Sequence, residues 1–318
     1  MRRREMLLML GCGVCIRAQD ATFSTGIKLV NVLATVRDRQ GRHVQDLTQA
    51  DFELREDGRI QQVRYFSRQT DVPLTLGMLV DTSASQRLVL ETEQNAGREF
   101  FWQVLRPDKD SAFVIRFDVE VELTQDSTSS LTTLDQALNS LDVPSRAGRG
   151  RFGGIGTLLY DSIFLAADEV LKGLEGRKAI ILLSDGVDYG SKVTLQRAVE
   201  TTQKADTSVY SIHIFDASNS RASGRLRLGR LAGRRQRNNG ENALRRISEE
   251  TGGKYFEVTD AKPLDDVFRE VETDLRNQYS LGYVSDRPAT ATEFRKIQIT
   301  AKRRGVTVQA RSGYYAQP

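Results

Sequence analysis

Asp81, Ser83 and Ser85 stand at i, i+2 and i+4 where the apolar run Leu74 to Val80 ends. One acid and two hydroxyls at this spacing present hard oxygen atoms, which suit magnesium or manganese rather than zinc or copper. The same residue types also make turns and helix caps, so this segment alone leaves both readings open. A second apolar run, Ala179 to Leu183, ends at Ser184-Asp185-Gly186. Again a carboxylate stands where a buried strand should stop. Between the two lies Gly153-Gly154-Ile155-Gly156-Thr157, followed by the helix-like stretch Leu158 to Leu171. Thr157 is expected as the N-cap or first-turn residue of that helix. Asp81, Ser83, Ser85, Thr157 and Asp185, from three separated segments, are therefore expected to converge on one point.

The elements that must position them follow from the pattern of the chain. From Pro73 onward strands alternate with helices. The strands are Leu74 to Val80, Ala112 to Phe117 with a hairpin partner at Glu120 to Leu123, Ala179 to Leu183, Val209 to Phe215 and Lys254 to Val258. The helices are Leu88 to Leu105, Leu131 to Leu141, Leu158 to Leu171, Leu195 to Ala205, Ala243 to Glu250 and Pro263 to Tyr279. Such alternation implies right-handed crossovers and an α/β fold with a doubly wound, mostly parallel sheet flanked by helices. Sheets of this kind bind ligands at the carboxyl ends of their strands. Before Pro73 and after Tyr279 the pattern is purely β, and neither end has enough apolar strands to bury a core alone. The two ends are expected to pair in a small β-sandwich-like unit. The resulting division is 1–18 as an export signal, 19–72 as an amino-terminal β segment, 73–283 as the main domain, and 284–318 as a carboxyl-terminal β segment pairing with 19–72.

The donor set and its phrases, Leu79-Val80-Asp81-Thr82-Ser83-Ala84-Ser85, Gly156-Thr157-Leu158-Leu159-Tyr160-Asp161 and Leu182-Leu183-Ser184-Asp185-Gly186, resemble the metal-ion-dependent adhesion site of von Willebrand factor type A (VWA) domains. The segments Val36 to Arg42 and Leu47 to Gly58 are similar to those of the exported bacterial "VWFA-related" proteins described from Acidobacteria. The resemblance implies that Asp81, Ser83 and Ser85 ligate a Mg2+ or Mn2+ ion directly or through water. It implies that Thr157 and Asp185 exchange between direct and water-mediated contact. Two carboxylates formally balance a divalent ion without saturating it, and magnesium keeps several waters in such a site. An Asp or Glu of another protein can displace one of those waters. The resemblance thus implies a non-enzymatic, adhesion-type module whose partner is a protein presenting an acid. The alternative is a metal-assisted hydrolase or phosphatase using the same oxygen cluster, which would need a general base or nucleophile beside the ion.

Composition narrows the setting. The chain has 318 residues, 39% hydrophobic and 28% charged, with a formal charge of +4, as in ordinary globular proteins. Arg2, Arg3, Arg4 and Arg17 against Glu5 account for most of that charge. Met1-Arg2-Arg3-Arg4 followed by the apolar stretch Met6 to Ile16 reads as an export signal, too short to span a bilayer. Cys12 and Cys15, the only cysteines, lie inside it, so the remainder can form no disulfide and suits the periplasm, cell envelope or exterior. Arg221 to Gly240 holds seven arginines and reads as a solvated insertion, with peripheral contact to an anionic surface as its functional alternative. Nucleic acid is not expected, since no aromatic residue is interleaved. Gly148-x-Gly150-x-x-Gly153 matches a dinucleotide fingerprint only literally, because no strand precedes it. With His43 and His213 as the only histidines, a Ser-His-Asp or multi-His centre is unsupported. His213 is expected in the core, as are Phe100, Phe101 and Trp102. Ser184 is expected to cap or pack, Asp161 to support its own helix's first turn, and Asp188 to serve a turn or helix start.

Overall fold

A computed structural model describes residues 29–68, 72–143, 156–214, 227–287, 289 and 292–316, the side chains of 227–237 excepted. The expected export signal with both cysteines, and the Gly148–Gly153 loop, lie outside the described residues. The strands of the main sheet are β5 (Leu74–Asp81), β6 (Ser111–Phe117), β7 (Val121–Thr128), β8 (Arg177–Ser184), β9 (Thr207–His213) and β10 (Tyr255–Glu257). They lie in the order β10-β9-β8-β5-β6-β7. All neighbours are parallel except the β6–β7 hairpin.

The two-residue side-chain period of a strand explains why these runs are apolar throughout. On β5, Leu74, Leu76, Met78 and Val80 face one layer; on β8, Ala179, Ile181 and Leu183 do the same. The layer above them is α1 (Leu90–Val104), α2 (Leu131–Asn139) and α6 (Leu264–Arg276), through Phe100, Leu134, Val267 and Phe268. Leu79, Ile180 and Leu182 point the other way. They meet α3 (Leu159–Leu165), α4 (Leu195–Lys204) and α5 (Arg227–Thr251) through Leu159, Ile163, Val199, Leu244 and Ile247. A sheet covered on both faces needs apolar residues at every position. Gly77 departs from this for a packing reason: the Phe113 ring lies over it, and an added Cβ would come within 2.3 Å of that ring.

The terminal segments build two antiparallel sheets. One is ordered β13-β1-β11-β4 and the other β14-β12-β2-β3. They comprise β1 (Leu29–Asp38), β2 (Phe52–Glu56), β3 (Arg59–Gln61), β4 (Val63–Arg68), β11 (Gln278–Val284), β12 (Glu293–Ala301), β13 (Val306–Ala310) and β14 (Gly313–Ala316). Strands from both ends of the chain pair within each sheet, and Val32, Ala34, Phe52, Leu54, Tyr279, Leu281 and Ile297 share one core. β11 falls within 73–283 by sequence but belongs to the terminal unit by pairing. A single residue, Asn277, separates it from α6. Asp274 of α6 is ion-paired to Arg37 of β1 and lies 2.9 Å from His43 Nε2.

Several expectations are corrected. Trp102 is 60% exposed, while Phe100 and Phe101 are buried. At about 100° per residue, Trp102 sits some 200° around α1 from Phe100 and so faces outward. The stretch 158–171 is an α-helix only to Leu165 and continues as a π-helical segment, Ala166–Leu171. The Arg-rich stretch is not a loop throughout, because α5 already runs from Arg227.

A buried charge network ties the termini together. Glu56 Oε2 accepts from the hydroxyls of Tyr283 (2.7 Å) and Tyr314 (3.0 Å), and Oε1 from Ser285 Oγ (2.6 Å) and Arg295 Nη1 (3.3 Å). The side chains of Glu56 and Arg295 are both 1% exposed. Removing one partner of a buried pair strands the other charge. Arg295→Met is therefore expected to destabilise the protein by about 3–5 kcal/mol, measured by urea denaturation. A change below about 1 kcal/mol, the scale of a surface ion pair, would contradict this reading of the network.

Candidate functional site

β5 and β8 are paired from Leu74–Arg177 to Val80–Leu183. One step later both strands end, at Asp81 and Ser184, and the next residue of β8's exit loop is Asp185. Parallel pairing thus delivers both acids to one edge of the sheet. Asp81 is fully buried. Its Oδ1 accepts the Ser83 N–H at 3.0 Å and its Oδ2 accepts the Ser184 hydroxyl at 2.8 Å. The hydroxyls of Ser83 and Ser85 are 2.9 Å apart, and Ser85 holds the Asp185 carboxyl down against the rise its burial causes. Asp81 is thus bonded to Ser83 and Ser184, Ser85 joins through Ser83, and Asp185 directly follows Ser184 in sequence.

Asp185 is set by its loop. Its Oδ1 accepts the Val187 N–H at 3.0 Å, and the Gly186 N–H donates to Ser184 Oγ at 3.0 Å. Gly186 has φ +77°, and an added Cβ there would lie 2.4 Å from the Gly240 carbonyl oxygen of α5. Only glycine supplies both the conformation and the clearance. The end of the Arg-rich stretch therefore buttresses this loop.

Thr157 reaches the same neighbourhood by backbone. Its N–H and C=O pair with Tyr189, four residues past Asp185, at 3.0 and 2.9 Å. Among the described residues no hydrogen bond joins its hydroxyl to the other four donors. Thr157 is not the helix cap either. Leu158 holds that position, and the first-turn N–H groups of Tyr160 and Asp161 are taken by Asp188 Oδ1 and Ser191 Oγ. An acid at a helix start meets the positive end of the dipole there. Asp161 turns away from its own helix and accepts the N–H groups of Lys192 and Val193.

The acids at the sheet edge are pushed toward protonation. Burial, then the charge of Asp185, pushes the Asp81 carboxyl up to about 7. Burial raises Asp185 as well. Glu93, in the first turn of α1, is 1% exposed, and burial followed by Asp81 and Asp185 holds its carboxyl well above the usual range. Nothing in the sequence singles out Glu93, because an acid on a helix ordinarily faces water. His213 lies in the core as expected, 1% exposed and bonded to the Tyr255 hydroxyl at 2.8 Å. It also pairs in register with Ser184. Among the described residues no three His, Cys, Asp or Glu side chains gather with metal-ligand geometry. A cation here must use the hydroxyls beside two acids, a donor set suited to a hard ion.

The family model for the von Willebrand factor type A domain matches residues 78–270, more than half of the chain. The chain belongs to this family. No curated protein sequence matches it. Similar solved structures include an aerotolerance-related membrane protein from Bacteroides fragilis, at 17% identity, TM-score 0.46, covering 64% of this chain and 98% of that one. The vWF domain of the type V pili tip protein Mfa5 from Porphyromonas gingivalis matches at 13% identity, TM-score 0.45, covering 64% and 95%. Proximal thread matrix protein 1 from the mussel byssus, with a zinc-occupied MIDAS motif, matches at 18% identity, TM-score 0.47, covering 70% of this chain and 50% of that one. VWA domains bind a divalent cation at their metal-ion-dependent adhesion site.

The raised acids give a pH signature. A carboxyl whose folded pKa exceeds its unfolded value of about 4 leaves the metal-free protein most stable below pH 4 as far as this pair is concerned. That contribution fades as pH rises through about 7. Mg2+ or Mn2+ should act oppositely, since ligation needs the ionised acids. Thermal melts should show metal-induced stabilisation at pH 8, about 2.7 kcal/mol at a hundredfold excess over Kd, shrinking below pH 6. Stabilisation of equal size at pH 5 and pH 8 would refute this.

Proposed function

We propose that this chain is an exported, non-enzymatic protein-binding module that grips an acidic side chain of a partner through a divalent cation. Asp81, Ser83, Ser85, Thr157 and Asp185 would hold Mg2+ or Mn2+. The ion, left short of negative ligands, supplies Lewis acidity toward a foreign carboxylate. The observation that carries this reading is the polar cluster of Asp81, Ser83, Ser85 and Ser184 beside Asp185, whose two buried acids are pushed toward protonation first by loss of solvent. Magnesium binds through one or two carboxylates and keeps exchangeable waters, which matches this donor count.

The surroundings support a protein as the partner. Leu88 and Tyr189 are 68% and 63% exposed. They follow Ser85 and Asp185 on the two loops that carry the acids. Exposed apolar and aromatic side chains beside a polar anchor are what interfaces use. Location outside the cytoplasm is supported by the arginine-led apolar start of the sequence and by the lack of cysteine beyond Cys15. Among the described residues no helix is long and apolar enough to cross a membrane. The hydrolytic alternative has one specific candidate base, His213. That ring is buried and engaged by Tyr255, which argues against a base open to substrate at the donor edge.

Calorimetric titration with Mn2+ tests the reading. Asp81→Ala and Asp185→Ala should each weaken binding by more than the ~10–100-fold that follows loss of an outer partner, while circular dichroism stays unchanged. Pull-down of acidic partner proteins should need Mg2+ and be reversed by chelator. Unaltered Mn2+ affinity in both variants would dismiss the assignment. Magnesium-dependent turnover of phosphate esters that is lost with the same variants would favour the enzyme instead.

A further inference from the structure

Gln86 and Glu93 sit behind the donor edge, 0% and 1% exposed. Their side-chain atoms, Gln86 Nε2 and Oε1 and Glu93 Oε1 and Oε2, are all buried and have no hydrogen-bond partner among the described residues. The backbone fixes their relation. Val89 N–H donates to the Gln86 carbonyl at 3.0 Å, and Glu93 N–H to the Val89 carbonyl at 2.9 Å. The two residues are therefore joined by two successive backbone turns, Gln86 to Val89 and Val89 to Glu93, and both side chains are buried. The buried side continues along α1 through Ala96, Gly97 and Phe100. Val80, Leu90 and Ala96 belong to the apolar cluster on this face of the sheet, where a Leu would satisfy packing.

A buried acid and amide with nothing to bond are a defect in an ordinary core. The Glu56 network in the terminal unit shows the contrast, because there every oxygen of a buried acid is answered. Gln86 directly follows Ser85, and the same loop enters α1, whose first turn carries the buried Glu93, so both stand close to the strand ends; the charges of Asp81 and Asp185 accordingly add to burial in raising Glu93. A hydrated magnesium or manganese ion would bring positive charge and water protons in need of acceptors. Side chains just outside a metal's own ligands commonly orient them and tune affinity.

We propose that Glu93, with Gln86 beside it, is a positioning residue of the cation site, accepting hydrogen bonds from water that accompanies the ion. The inference rests on the metal-binding reading given above. It adds a third acid and an amide, from the turns leading into α1, to the donors at the strand ends. The site then reaches through the sheet edge into the helix layer, and the unanswered polar atoms become the mark of a site built for its loaded state.

The test uses the full chain with Glu93→Gln, Glu93→Leu and Gln86→Leu, compared by metal-free thermal melts, Mn2+ calorimetry and electron-nuclear double resonance of bound Mn2+. Glu93→Leu should raise the metal-free melting temperature, since it replaces an unanswered acid by packing, yet lower Mn2+ affinity ~10–100-fold. Gln86→Leu should shift both quantities in the same directions by smaller amounts. Glu93→Gln, the closest in shape, should keep the fold and lower affinity by about tenfold, with altered water-proton couplings. A packing role alone would not move stability and affinity in opposite directions. Wild-type Mn2+ affinity and unchanged proton couplings in Glu93→Gln would overturn this proposal and leave the metal-binding reading standing. Failure of the wild-type protein to bind Mn2+ or Mg2+ would overturn both.

Discussion

Two acids share one buried corner because β5 and β8 are parallel neighbours that end together. That shared burial of two acids is the constraint on which the rest of the site depends. Loss of solvation is the larger effect, and repulsion between carboxylates adds to it where water is excluded. The fold answers with the hydroxyls of Ser83, Ser85 and Ser184 and with the N–H groups of Ser83 and Val187. These donors are neutral, so they orient the acids without cancelling their charge. The remaining imbalance is of the kind a divalent ion removes.

The molecule handles buried charge in two opposite ways. In the terminal sheets, Glu56 is surrounded by Tyr283, Tyr314, Ser285 and Arg295, and each of its oxygens is bonded. That arrangement fixes strands from both ends of the chain in one register. At the edge of the main sheet the acids are positioned by neutral donors, and among the described residues the Glu93 carboxylate oxygens have no hydrogen-bond partner. Complete satisfaction suits a structural joint, and incomplete satisfaction suits a place where something must bind.

Much of this is legible in the sequence. Uninterrupted apolar runs at Leu74 to Val80 and Ala179 to Leu183 identify strands covered on both faces, and the alternation with helices gives the sheet its parallel order. The candidate donors Asp81, Ser83, Ser85 and Asp185 can be read because each sits within a few residues of a strand end. What depends on distant packing is not legible. Trp102 looks like Phe100 and Phe101 in composition, and only its angle around α1 separates them. Thr157 has the chemistry of a cap, but Asp188 and Ser191 arrive from another loop to fill that role. Glu93 resembles any solvated helical acid until the sheet closes over it.

The junction at Asn277 has a mechanical consequence. With one residue between α6 and β11, there is no slack to absorb a displacement. Arg37 holds Asp274 from the neighbouring strand, and Phe268 stacks on Phe100 with ring centroids 4.6 Å apart. Tension on the terminal sheets is therefore passed to α6 and on to α1, the helix that follows Ser85 and carries Glu93.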